Sequence, residues 1–312
     1  MKIHPNLPDH EYHASQRISA SLLKRVHNDG PAQASAYLDG YRPISAEARD
    51  VGTWTHCAVL EPERFEAEFA RAFDPDSVST EGMIEDSTAA LKQACKDRDL
   101  PVSGTKAALT DRIREADPSA QFASEAAEKA ASQYGLETAG RAWIPCATYD
   151  QILAMRDAVR AHEYAGALLS AVDRTEFSII GEDRKCRVDA MTGRMLWDLK
   201  THRGGYSLDK TIWNTGLDIQ AAWYVDMCEA AGLDVEQRFA FVFVDKREPH
   251  TVGVRVLDAE ALRYGRARYE KALATWRDWC ENHRTQRITH GDGVALSPAP
   301  GWVRASVSLS DF

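Results

Sequence analysis

From Arg174 onward the sequence changes period, and this change constrains the fold more than any other feature. Three short runs, TEFSII, KCRVDAM and MLWDLKT, are rich in β-branched and aromatic residues. Turn signals at Gly181-Glu182-Asp183 and Thr192-Gly193-Arg194 separate them, so three strands are predicted. A helix follows across GLDIQAAWYVDMCEAAG and stops at Gly232. The apolar run FAFVFV (239–244) reads as a buried strand, VGVRVL as another, and residues 258–283 as a long helix. Helix, three strands, helix, strand is the order of an α/β fold with a central mixed sheet flanked by helices.

Before Arg174 the pattern is helical. RISASLLKRVHN enters a helix through a serine cap, Ser19 or Ser21, with Leu22, Leu23 and Val26 on one face. Residues 46–60, AEARDVGTWTHCAVL, are helical, and Pro62 marks a break near their end. FDPDSVSTEG reads as a linker. Between Met83 and about Ser119 lies a two-helix pattern: a helix capped by Ser87 with apolar Leu91, Cys95 and Leu100, the turn PVSG, and a second helix capped by Thr105. Helical sequence over 122–135 leads to AGRAWIPCATYDQILAMRDAVRAH, whose second half is amphipathic, and the tail from Thr289 is irregular. The expected organisation is one discontinuous domain, 1–82 with 120–312, interrupted by a small helical insertion at 83–119.

Composition excludes several classes. No stretch approaches the ~18 apolar residues of a membrane span, and the polar start MKIHPNLPDHEYH is unlike a secretory leader. The protein therefore reads as cytoplasmic. The six cysteines (Cys57, Cys95, Cys146, Cys186, Cys228, Cys280) form no C-x-x-C pair, which argues for free thiols and against a zinc finger or iron–sulfur cluster. The net charge of −9 means that any grip on nucleic acid is confined to a local channel or assembled by oligomerisation.

The chemistry concentrates in RVDAMTGRMLWDLKT. Asp189 ends one short strand, and Asp198-Leu199-Lys200 lies on the next. Residues two apart on a strand share a face, so Asp198 and Lys200 project together, and a hairpin would bring Asp189 to them. Two carboxylates beside an ammonium suit Mg²⁺ or Mn²⁺, one or two ions, with Lys200 placed to orient a water and stabilise charge on a phosphate. The backbone carbonyl of Leu199 is a further candidate ligand. Gln220 and Tyr224 sit four apart on the following helix and share a face.

These residues, taken in order, resemble the PD-(D/E)XK nucleases, and among them the exonucleases of the RecE (exodeoxyribonuclease VIII), lambda exonuclease and RecB-nuclease type. The resemblance covers roughly residues 15–70 and 145–285. It implies a restriction-endonuclease-like core with His56, Asp189 and Asp198 as metal ligands, Lys200 as the catalytic lysine, and Gln220 and Tyr224 as the Q-x-x-x-Y element. Glu176 matches an acidic position of the family and is an additional metal candidate; Glu61 is a weaker one. The proline that names the motif is absent, Val188 standing before the first aspartate. ISAS (18–21) resembles a segment that contacts a DNA end, which singles out Arg17, Ser19 and Ser21.

The segment LKQACKDRDLPVSGTKAALTDRI closely resembles a SAP motif, a helical hairpin associated with DNA binding. Lys92, Lys96, Arg98, Lys106 and Arg112 supply its positive charge, and Ser103-Gly104 its backbone N–H groups. Such hairpins bind DNA weakly or serve as protein contacts, and both alternatives stand.

The resemblance implies a metal-dependent deoxyribonuclease acting 5′→3′ on double-stranded DNA ends to leave 3′ tails for phage-type recombination. It also implies a ring-forming homo-oligomer and a single-strand annealing recombinase as partner. An endonuclease or flap nuclease of the same fold, and a non-catalytic DNA-binding adaptor, are the alternatives.

Overall fold

In the computed structural model, which describes residues 1–39, 46–205 and 207–282, a six-stranded mixed sheet separates two helical layers. The chain opens with β1 (Lys2–His4), α1 (Asp9–Ala14), α2 (Ala20–Asp29) and α3 (Pro31–Leu38). Next come α4 (Ala46–Leu60), α5 (Pro62–Glu68), β2 (Phe69–Arg71), α6 (Thr88–Lys96), α7 (Lys106–Ala116) and α8 (Ala123–Glu137). Then β3 (Ala142–Ile144), α9 (Cys146–Ala161) and α10 (Glu163–Ser170) lead into β4 (Arg174–Ile180), β5 (Lys185–Thr192) and β6 (Met195–His202). Finally come α11 (Leu208–Thr215), α12 (Leu217–Ala230), β7 (Phe239–Asp245), β8 (Val252–Leu257) and α13 (Ala259–Asn282).

The sheet order is β1-β4-β5-β6-β7-β8, with every pair antiparallel except β6 and β7. A parallel pair needs a crossover, and α11 with α12 provides it. That crossover lays α12 over one face of β6. On this face α2, α12 and α13 pack against Phe177, Ile179, Phe239, Phe241 and Phe243. On the other face α4, α9 and α10 cover Trp197, Leu199, Val242 and Val244. Every residue of β7 is buried, as an uninterrupted apolar run requires of a central strand.

The three strands after Arg174, the helix at Gln220 and both later strands lie where their periodicity puts them, except that Asp189 lies inside β5, which runs on to Thr192, and does not end it. Other elements escape the pattern. β1 spans three residues at the sheet edge, too few to show alternation. β2 and β3 form a separate parallel pair, Phe69↔Ala142 to Arg71↔Ile144, joining segments far apart in the chain. Pro62 begins α5 at its first turn, where a missing N–H costs nothing, so the break is a helix start as well as a helix end. Ser19, not Ser21, caps α2, its hydroxyl accepting from Leu22 N at 3.3 Å. The irregular tail lies outside the described residues.

α6 and α7 pack on each other around Leu91, Ala94, Cys95, Leu109 and Ile113, closed by Phe122. This third core contains no residue of the sheet. All six cysteines are free thiols. Among the described residues no helix is long and apolar enough to cross a membrane.

Candidate metal centre

Three carboxylates lie in one row across three adjacent strands. The pairing of β4 with β5 steps over Glu176 and Asp189, between Thr175↔Ala190 and Phe177↔Val188. The pairing of β5 with β6 ends at Ala190↔Trp197, one position short of Asp189 and Asp198. The ladder is thus open along Glu176, Asp189 and Asp198. Glu176 has φ +49°, left-handed backbone that a non-glycine residue in a strand rarely adopts. Side-chain alternation also breaks here: Cys186 and Val188 face the α12 layer, Ala190 the α4 layer, and Met191 the α12 layer again. Strain of this kind persists where surrounding structure over-determines it, as at a ligand site.

α4 brings in His56, whose Nδ1 lies 3.3 Å from Asp189 Oδ2. One donor atom from each of His56, Glu176 and Asp189 falls within 4.8 Å of the others. Asp189 Oδ2 also accepts from Leu199 N at 3.0 Å, replacing the missing ladder bond with a side-chain one. Asp198 is fully buried. Its Oδ1 accepts from Gln220 Nε2, and its Oδ2 meets Lys200 Nζ at 2.5 Å. Apart from that ion pair, Oδ2 has no well-formed hydrogen bond among the described residues.

The charges do not balance. Burial, reinforced by Asp198, holds the Asp189 carboxyl well above the usual carboxylate range. Burial with Glu61 pushes Glu176 up to about 7. His56 is pushed down to about 4 by burial and then by Lys200, although a hydrogen bond to the Leu199 backbone works the other way. For Lys200 burial is the largest single influence and disfavours its charge, but Asp198 and Asp189 together outweigh it and its pKa is raised. Acids resisting ionisation beside a neutral imidazole have the electrostatics of a cation-binding centre. One nitrogen and two carboxylate groups of this spacing fit a divalent metal.

The structure brings His56, Asp189, Asp198, Leu199, Lys200 and Gln220 together and adds Glu176 to the close donor cluster, while Asp198 is occupied by Gln220 and Lys200. The Tyr224 ring packs 6.2 Å from that of Phe239, and burial, with Tyr12 and then Asp198 and Asp189 adding to it, raises its hydroxyl well above the ordinary range. Glu61 pairs with Arg64 at 2.9 Å. One member of the constellation escaped sequence reasoning: Lys24 on α2, whose Nζ donates to Gln220 Oε1 at 2.8 Å. The faint signal was a lysine four residues after buried Ala20, at the rim of the apolar stripe.

The residues singled out for DNA divide into two kinds. Arg17 is engaged with the carbonyls of Gly181 and Glu182, at 2.9 and 3.1 Å, and Ser19 with its helix cap. Ser21 is exposed beside Lys24 and Arg25 in a groove of about 420 Å³. In the hairpin, Arg98 clamps Asp117 at 2.8 Å, and Arg112 donates to the carbonyls of Pro101 and Ser103. Lys92, Lys96, Ser103, Gly104 and Lys106 are exposed.

Residues 87–118 match the family model of the SAP domain, covering both α6 and α7. No curated protein matches the chain. Among solved structures the chain is similar to a crystal structure from Eubacterium rectale described as a "putative exonuclease", with a TM-score of 0.50 at 13% identity. The similarity spans 94% of this chain and 96% of that one, so the mixed sheet and its flanking helices are a shared fold along nearly the whole of both.

Proposed function

We propose that this protein is a divalent-metal-dependent deoxyribonuclease of the PD-(D/E)XK class. The observation that carries the reading is the open row of Glu176, Asp189 and Asp198, with His56 on one side and Lys200 on the other. Fold similarity to a structure described as a "putative exonuclease", and a segment matching the SAP domain, support it independently.

In this reading His56, Glu176 and Asp189 hold the ion, with Asp198 and the Leu199 carbonyl beside them. A bound Mg²⁺ or Mn²⁺ supplies Lewis acidity toward a phosphate oxygen and acidifies a water. Asp198 and Asp189 favour the charged form of Lys200, which suits it to orient a water and to stabilise charge on a phosphate. Gln220 orients Asp198, and Asp189 fixes the backbone of Leu199 between the two reactive side chains. The exposed lysines of the hairpin would tether duplex DNA and raise its concentration at the centre.

The finer reading is 5′→3′ removal of nucleotides from duplex ends, leaving 3′ tails. The ISAS resemblance and the groove at Ser21 support end binding. A net charge of −9 favours a ring of subunits that gathers scattered positive charge around the duplex, beside a single-strand annealing partner. The test is linear duplex DNA labelled at one 5′ end, with Mg²⁺, beside a closed circle. Label released as mononucleotide from linear DNA alone supports the reading. A cut circle makes the protein an endonuclease, and a shifted but uncut band makes it a binding adaptor.

A further inference from the structure

We infer that Lys24 is a positioning residue of the centre: it fixes the orientation of the Gln220 amide and, through it, the carboxylate of Asp198. The effect on rate rests on the nuclease reading above; the geometric claim does not. An ammonium has three donors and no acceptor, and an ionised carboxylate only accepts. Gln220 lies between one of each. Its Oε1 receives Lys24 Nζ at 2.8 Å, and its Nε2 donates to Asp198 Oδ1. Both neighbours demand the same orientation, since a flipped amide would set donor against donor and acceptor against acceptor. Gln220 is 4% exposed, so solvent is poorly placed to substitute for Lys24.

The fold builds a slot for this lysine. Gly216, between α11 and α12, has φ +72°, and a Cβ on it would lie 3.1 Å from Lys24 Cγ. The lysine stem therefore runs over a residue that has no side chain to obstruct it, and the head reaches beyond the slot to Gln220. Asp198 is thus addressed by two lysines in different ways. Lys200 meets Oδ2 directly, while Lys24 governs Oδ1 through an intervening amide. Lys24 is not one of the three close metal-donor candidates, and its role is distinct from theirs.

The test is a double-mutant cycle of Lys24→Met and Gln220→Met in the full chain, assayed on 5′-labelled linear duplex with Mg²⁺. Each single variant should lower kcat by about 10- to 100-fold with little change in KM, the range seen when partners of metal-site residues are removed. The double variant should be no worse than the weaker single one, because the two residues act in series. Additive losses, or a change confined to KM as a direct phosphate contact would give, overturn the inference. The second readout needs no catalysis: the side-chain amide ¹H–¹⁵N pair of Gln220, followed by NMR without metal. In wild type it should be well dispersed and slow to exchange, and in Lys24→Met it should move toward free-amide values; an unmoved pair overturns the inference. If wild type cleaves no DNA, the nuclease reading fails and the NMR comparison alone decides the role of Lys24. Should Lys24→Met not fold, Lys24→Leu takes its place in both measurements.

Discussion

The backbone amide of Leu199 donates to the side chain of Asp189, Oδ2 at 3.0 Å, where a strand ladder would offer a carbonyl. Asp189 therefore has a structural task as well as a candidate metal-binding one, and two substitutions separate them. Asp189→Asn keeps an acceptor and removes the charge; it should retain the wild-type Tm or exceed it in metal-free buffer, while losing cleavage. Asp189→Ala leaves a buried N–H without its partner, at a cost of about 1–3 kcal/mol. Calorimetry of both variants in EDTA checks this, and equal stabilities would contradict it.

Lys200 and Asp198 form an ion pair whose carboxylate side is completely buried. Lys200→Met should reduce cleavage by about 10²- to 10³-fold, as for loss of a group that stabilises charge in the transition state. It should also destabilise the fold, because Asp198 is left buried beside uncompensated charge. Asp198→Asn should abolish cleavage with a smaller loss of stability, since it relieves repulsion with Asp189 and Glu176. Single-turnover rates and urea melts of the two proteins test the contrast; activity in Asp198→Asn would overturn the site.

Stability without metal should fall as pH rises through neutrality. Glu176 has a folded-state pKa of about 7, above its ordinary 4.5. A group raised in this way contributes stability below 4.5 that is lost as pH climbs through about 7. Asp189 is also raised, by burial and then by Asp198, and acts in the same direction. His56 works oppositely: lowered from 6.5 to about 4, it contributes stability above 6.5 that is lost as pH falls toward 4. In EDTA the Tm should therefore decline from pH 6 to 8, and Glu176→Gln should flatten the decline. Added Mn²⁺ should raise the Tm more at pH 8 than at pH 6, because the donors must be deprotonated to bind it. A metal effect independent of pH would show that these carboxyls are not the donors.

Within the hairpin, basic residues should divide by task. Arg98 is tied to Asp117 and to the Ala94 carbonyl, so Arg98→Ala should cost about 1 kcal/mol of local stability. Lys92→Glu with Lys106→Glu should leave stability unchanged and weaken duplex binding. The salt dependence of binding should become shallower by about one unit of slope for each phosphate that the lysines no longer neutralise. Fluorescence anisotropy over a salt series measures both, and unchanged affinity would assign the hairpin to a protein partner.

Sequence made the strands of the centre legible because β-branched and aromatic runs bounded by glycine turns have few alternative readings. Asp198 and Lys200 were placed on one face by strand period alone, and the register of β5 and β6 then determined how near Asp189 would come. Sequence was silent where geometry depends on pairing across long separations. No local pattern shows that Glu176 lies in row with Asp189, or that its backbone turns left-handed there. Lys24 was hidden for a related reason: a lysine at the rim of an amphipathic helix is ordinarily solvated, and only the α2–α12 packing turns it inward. β2 and β3 are three residues each and become strands only through one another.

The hairpin departs and returns at nearly one point: Ile84 and Phe122 bridge, with Ile84 N on the Gln121 carbonyl at 2.8 Å and Ala123 N on that of Ile84 at 3.0 Å. A segment pinned at its base and packed around its own apolar residues should behave as a cassette. Its removal, with the ends rejoined by a short turn, would leave the rest of the backbone nearly undisturbed. Loss or exchange of how the protein is recruited could then occur in evolution, or at the bench, without renegotiating the sheet on which the carboxylates stand.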